Sequence, residues 1–269
     1  MSKKLKYIPI TILLLIILMI LIGPIFVKFD PNYTDLASIA KKPSEIHYFG
    51  TDDLGRDVFA RVIYGGRISL FVGLVATSIQ ILISSILGVA SAYYGGKVNA
   101  IILRLIDSFL SFPFYILAMS FAAFMGPSIK NLIFIIIFFS WASSAKIIRS
   151  RVLQIKNKDF IKYYQISGFS DISIIIKHIV PNILETILES FTISSATAIL
   201  MEATLSFLGV GVEYPNPSWG NILSTTMSLT TIETKWWMWT FAAILVVLTV
   251  LSIHLTANVI KRHNNDQDK

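Results

Sequence analysis

Six predominantly apolar runs, each about as long as a bilayer is thick, constrain this chain more than any motif in it. They cover Ile8 to Val27, Leu70 to Tyr93, Ile101 to Phe124, Leu132 to Ile148, Ile183 to Leu208 and Trp239 to Ile260. A hydrocarbon layer of about 30 Å takes about 20 residues of helix. Within it the backbone has to satisfy its own hydrogen bonds, so each run predicts a membrane helix. The charged fraction is 14%, against about 25% in soluble domains. The chain is therefore expected to be an all-α membrane protein of about six transmembrane helices.

Lys3, Lys4 and Lys6 precede the first run, and a cleavable signal peptide is the alternative reading of such a start. The apolar part is longer than the roughly 7 to 15 residues of a signal. The cleavage-like triplet Ser38-Ile39-Ala40 lies beyond Lys28, Asp30 and Asp35, so an uncleaved anchor is expected. With the N-terminus inside, the inner segments hold fifteen of the 23 Lys and Arg residues and the outer segments eight. Because Lys and Arg resist translocation, this predicts that both termini are cytoplasmic. The net charge of +7 is then mainly a topology signal. It shows no basic face of the kind a nucleic-acid-binding fold presents.

The absence of cysteine excludes disulfides, thiolate metal sites and thiol catalysis. His47, His178, His254 and His263 are scattered, with no pair at helical spacing, so no metal site is expected. The "GGKVN" stretch at Gly95 to Asn99 lacks the upstream glycine and the hydroxyl of a phosphate loop, and reads as a tight turn. No acid/base pair or activated nucleophile stands in a soluble setting, which argues against an enzyme.

The remaining information lies in the polar segments. In "HYFGTDDLGRDVFARVIYGGRISL", His47 to Leu70, Thr51 or Asp52 is a candidate cap for a short helix; the plainer alternative is a loop of paired surface charges. Between the fourth and fifth runs, "SGFSDISIIIKHIVPN" follows a first amphipathic segment at Asp159 to Ile166 and contains a second at Asp171 to Ile179. Gly168 stands at the joint, where a glycine permits positive φ or close backbone approach. Pro181 suits the opening turn of the next membrane helix. A basic loop that only sets topology is the plainer reading.

Three motifs in order carry a resemblance. Gly168, nine residues, His178-Ile179, one residue and Pro181-Asn182 resemble the cytoplasmic EAA loop of binding-protein-dependent ABC transporter permeases. "FGTDDLGRDVFARVIYGGRISL" and "MEATLSFLGVGVEYPNPSWG" resemble signatures of the second permease of dipeptide, oligopeptide and nickel importers. The similarity runs from Phe49 to the last span. It implies a coupling helix that docks into a groove on a separate cytoplasmic ATPase, which would bind the ATP and Mg while this chain binds no cofactor. It further implies a partner permease forming a heterodimer, two ATPase subunits or domains, an extracellular solute-binding protein, and a bacterial inner or plasma membrane. The expected cargo is short peptides, with chelated nickel second. The usual acid and two small residues of the loop align with Lys162, Tyr163 and Tyr164, a departure from the family pattern. Lys156 lies outside the motif and is expected to matter only as inner charge. Gly50, Thr51, Asp52, Gly55, Arg56, Asp57 and Arg67 carry the outer signature. Residues 1–69 then form an anchor helix with an extracellular segment. Residues 70–269 form a five-span permease domain with its coupling loop at about 150–180.

Charges in the spans are weighed separately. Arg104 and Asp107, three residues apart, are expected to pair on one helical face. Glu202 matches the family signature and is equally a candidate for helix packing or pathway lining, whereas Glu185 is expected to be solvated near the inner interface. Trp236, Trp237 and Trp239 fit an interfacial aromatic belt. Two other functions stay open at this level: a secondary transporter driven by an ion gradient through midplane groups such as Glu202, and a non-transporting membrane scaffold.

Overall fold

The computed structural model describes residues 7–267, with side chains placed through Val259. Lys3, Lys4, Lys6 and Lys269, and the side chains of Lys261, Arg262 and His263, lie outside the described residues. In chain order the long helices are α1 (Ile8–Ile22), α2 (Val58–Tyr94), α3 (Gly96–Ser111), α4 (Phe114–Met125) and α5 (Ile129–Lys156). The short α6 (Asp159–Ile166) and α7 (Asp171–Ile174) lead through a π-turn at Ile175–Ile179 into α8 (Val180–Phe207). The chain then forms the short α9 (Trp219–Leu223) and α10 (Leu229–Thr234) before α11 (Thr240–Gln267). Among the described residues the strand-like pairing is a single isolated bridge, Thr51 to Asp57.

Five helices are long and apolar enough to cross a membrane, and α3 with α4 makes a sixth candidate bent by 86°. The third predicted span is therefore not one straight helix. Pro113 lacks an N–H and drives the residue before it out of the helical region, and Phe112 accordingly takes φ −91° and ψ 139°. The second span starts earlier than its hydropathy suggests, at Val58. Its cap is Asp57, whose carboxylate accepts from the Ala60 N–H at 2.7 Å, and not Thr51 or Asp52. Arg61 and Arg67, assigned by sequence to an outer loop, are thus the first turns of α2.

The central helix is α2, packed most extensively on α5 and then on α8; α8 packs on α11, and α11 on α1. Close approach of α2 and α5 depends on Gly88. A Cβ there would stand 2.8 Å from the Ala145 carbonyl oxygen. Small residues let membrane helices gain the backbone contact that apolar side chains in lipid cannot supply. Side chains such as Leu14, Phe71, Leu82, Ile86 and Leu184 stay exposed on the bundle exterior, where lipid is their solvent. Trp237 departs from the expected belt: it is buried and donates its indole N–H to the Thr51 carbonyl at 3.1 Å, while Trp236 remains exposed.

Candidate functional site

One end of the bundle carries a helical elbow built from α6, α7 and the π-turn. Asp159 lies in the first turn of α6, where its charge suits the positive helix end. Ile161 is the one fully buried residue of α6, and it packs with Ile155, Ile174, Ile179 and Ile183 under the elbow. The helix stops in a Schellman arrangement. Phe169 N–H donates to the Tyr164 carbonyl at 3.2 Å and Gly168 N–H to the Gln165 carbonyl at 3.3 Å. Gly168 has φ +78°, and the rings of Tyr164 and Phe169 meet edge-on at 5.2 Å, the apolar contact that accompanies this cap. Nothing lies within 4 Å of a Cβ built on Gly168, so its requirement is backbone conformation and not close approach.

Beyond the joint, Ser170 caps α7 through the Ser173 N–H. The helical path then runs without a gap through the π-turn into α8. Pro181 sits in the first turn of the membrane helix α8, as expected, but directly after the π-turn and not at a free helix start. A proline ring clashes with the carbonyl four residues back in a regular α-helix, and a wider i→i+5 turn relieves that clash. The Asn182 amide donates to the His178 carbonyl at 2.7 Å. The His178 ring stacks on Tyr164 at 3.8 Å and 17°, so the two halves of the sequence motif meet face to face.

The elbow is held to the bundle by Tyr93, which the sequence did not single out, and by Lys156, which it marked only as inner charge. Tyr93 Oη, at the end of α2, donates to Asp171 at 2.7 Å. Lys156 Nζ donates to the carbonyls of Ala92 and Tyr93 and stands 5.7 Å from the Tyr93 ring centre. Lys156 is thus a cap for α2, not merely inner charge. Outward, the elbow shows Ile166, 87% exposed, with Tyr163 and Ile172 each 66% exposed. Lys162 pairs at 3.3 Å with the fully exposed Asp159, a contact of little energetic weight.

At the opposite end the outer signature closes on itself. Thr51 accepts from Lys41 N–H at 2.8 Å and donates to the Ser38 carbonyl. Asp52 accepts from Arg56 Nε at 2.7 Å and faces Arg61 at 3.7 Å. Asp57, besides capping α2, meets His47 Nδ1 at 2.9 Å, and that ring stacks on Phe29. Gly50 and Gly55 have φ +72° and +73°. Hydrogen bonds from Ser38 and then Ala37 hold the Asp35 carboxyl below the usual carboxylate range. Arg67 donates to the carbonyls of Ile20 and Leu21 at the end of α1. Apart from the exposed Arg67, this signature is a buried clasp and not an array of surface charges.

Glu202 is fully buried in α8 and accepts from Ser206 Oγ at 2.8 Å, with the Ser69 and Ser218 hydroxyls beside the same carboxyl. Each of these serines also accepts a backbone N–H, from Val212, Trp219 and Asn221 respectively. Glu202 therefore stands where α8, α2 and the 209–223 hairpin meet, with its second carboxyl oxygen, Oε2, buried and without a hydrogen-bond partner. Its full burial favours the packing reading over pathway lining. Asp107 does not pair with Arg104 but with Lys146 at 3.6 Å, because α5 brings that cation alongside. Glu185 is exposed, as expected.

A sequence profile of the family described as "Binding-protein-dependent transport system inner membrane component" matches residues 80–265. The oligopeptide transport system permease protein OppC of Bacillus subtilis is 38% identical over 83% of this chain and 73% of its own length. The dipeptide transport system permease protein DppC of Bacillus subtilis is 35% identical over 94% of this chain and 79% of its own. A putative peptide transport system permease protein of Brucella suis is 32% identical over 95% and 85%. Among solved structures, a chain of the MetNI methionine ABC transporter in an inward-facing conformation superposes with a TM-score of 0.61. It is 17% identical and covers 76% of this chain and 95% of that one, a likeness of fold.

Proposed function

Because the chain belongs to the family of binding-protein-dependent transport system inner membrane components, we propose that it is one of two membrane subunits of an ATP-driven importer of short peptides. Its partners are a second permease with which it forms a heterodimer, two ATPase subunits or domains, and an extracellular solute-binding protein. ATP and Mg are handled by the ATPase; this chain is not itself an enzyme and contributes the moving wall of the path. Both termini and the elbow face the cytoplasm, as the Lys and Arg distribution favours.

The observation that carries this reading is the continuity of the elbow with α8. Movement imposed on α6 and α7 reaches the membrane through a helical rod from Asp171 to Phe207, and a stiff element shared by two sites is the physical means of coupling them. The stack of Tyr164 on His178 makes α6 and the rod one body. Its apolar outer face, Tyr163, Ile166 and Ile172, is the part offered to the ATPase groove. The relatives named for oligopeptide and dipeptide transport favour peptides over nickel as cargo.

The test is reconstitution of the chain with its partner subunits in vesicles, with labelled di- and oligopeptides beside radioactive nickel. Peptide accumulation is expected only with ATP and the binding protein. Accumulation driven by an ion gradient without ATP, or uptake of nickel alone, overturns the assignment of energy source or of cargo.

A further inference from the structure

Between the α3–α4 elbow, α5 and α8 lies a hollow of about 290 Å³ that no motif marks. Its deep wall is a hydrogen-bonded seam across three helices. Gln80 of α2, 2% exposed, donates through Nε2 to the Ser140 carbonyl at 3.0 Å and to Ser144 Oγ at 3.1 Å. Ser144 Oγ lies 3.2 Å from Ser194 Oγ of α8. Ser143, Ser190 and Thr197 extend the same surface, and Phe109, Phe112, Phe114 and Phe139 border it. Among the residues lining the hollow there is no Asp, Glu, Lys or Arg.

Hydroxyl and amide groups in a membrane span are expected to face the bundle interior or a water-filled cavity, since lipid offers them no partner. Here they recur on one face of each helix, at Ser140, Ser143 and Ser144 on α5 and at Ser190, Ser194 and Thr197 on α8. The larger crevice, about 930 Å³ between α1, α2, α8 and α11, is lined mainly by aliphatic and aromatic side chains, with Arg67, Thr192, Ser195 and Thr256 at its polar points. It does not compete for a polar solute.

The geometry points to the smaller hollow as this chain's share of the solute path, a neutral hydroxyl-and-amide surface that passes peptides without sorting them by side-chain charge. The inference rests on the importer reading above and adds to it where the cargo runs and what the wall ignores. Hydroxyls both donate and accept, and so does every peptide unit. A wall of neutral partners gives each backbone group a weak, replaceable contact, the condition under which a solute enters and also leaves. Without fixed charge there is no Coulomb basis for preferring a cationic over an anionic peptide.

The chain's lack of cysteine makes the test direct. Ser143→Cys, Ser194→Cys and Thr197→Cys are assembled with partner subunits free of reactive cysteine and treated with a charged methanethiosulfonate reagent. All three are expected to react and to lose peptide uptake, while Leu82→Cys, mid-span on the exposed face of α2 away from Gln80, does not react. In parallel, uptake of a cationic and an anionic tripeptide by Thr197→Lys is divided by wild-type uptake of each, which cancels the binding protein's preferences. The cationic ratio is expected to fall about fivefold below the anionic one, the order of a single charge–charge contact in water, with no split for Thr197→Gln. Unreactive cysteines in a complex that transports peptides overturn the path while leaving the importer reading intact. So does reaction without loss of uptake, reaction only when the partner permease is omitted, or an equal fall of both peptides in Thr197→Lys. A wild-type complex that takes up no peptide removes the importer reading itself.

Discussion

Gly168 is the residue whose replacement separates conformation from contact. At φ +78° with open space around its Cβ position, a β-branched side chain costs about 1–2 kcal/mol in the left-handed region, whereas asparagine tolerates it. Gly168→Val is expected to depress uptake and binding-protein-stimulated ATP hydrolysis together, at unchanged membrane abundance, and Gly168→Asn to retain most of both. Equal behaviour of the two variants would remove the conformational argument. Glu202 gives a second test. Glu202→Leu leaves the buried Ser206 hydroxyl without its acceptor, and an unsatisfied buried group costs about 1–3 kcal/mol. Thermal unfolding of the detergent-solubilised complex is therefore expected at lower temperature for Glu202→Leu than for Glu202→Gln, which keeps an acceptor oxygen. The reverse order would mean that the carboxyl is not the hub of the hairpin.

At the scale of elements, the elbow and α8 behave as one rod only if the π-turn transmits force. Breaking the Tyr164–His178 stack loosens α6 from the rod without touching any membrane span. Tyr164→Ala is accordingly expected to lower stimulated ATP hydrolysis, and Tyr164→Phe, which keeps the ring, to preserve it; ATPase assays on matched membrane preparations decide between them. Lys156→Ala belongs to the same scale, since it uncaps the last carbonyls of α2 beside the elbow. The cost of a lost terminal cap there is about 0.3–1 kcal/mol, enough to loosen the elbow's seat but not to unfold α2.

For the whole molecule, the outer clasp and the inner elbow lie at opposite ends of one bundle, and the expected topology follows from that separation. Ser44 and Thr230 are exposed at the clasp end of the bundle and Gln154 at the elbow end, so cysteines at these positions report which end faces outward. An impermeant thiol reagent applied to intact cells is expected to label the first two and spare the third. Labelling of Gln154→Cys would invert the bundle. Ser218 is fully buried and caps α9, so a cysteine there would probe folding instead of sidedness.

What the sequence by itself determined was whatever depends on local composition and spacing. Apolar length placed most of the membrane helices and Pro181 marked the start of α8, whereas Pro113 went unread inside the third run; Gly168 signalled positive φ or close approach, and the structure decides for positive φ. The motif order placed the elbow, and the signature residues Gly50 to Asp57 marked the outer segment. What only the tertiary structure decided depends on which helices meet. Asp107 lies near Arg104 in sequence yet pairs with Lys146, since α5 supplies a nearer cation than its own helix does. Trp237 looked interfacial until the outer clasp covered it. Gln80, Ser144 and Ser194 are unremarkable polar residues in three separate spans; they become a surface only when α2, α5 and α8 pack together. A hydrogen bond between residues fifty or more positions apart leaves no period or spacing in the chain, so nothing short of the packed bundle reveals it.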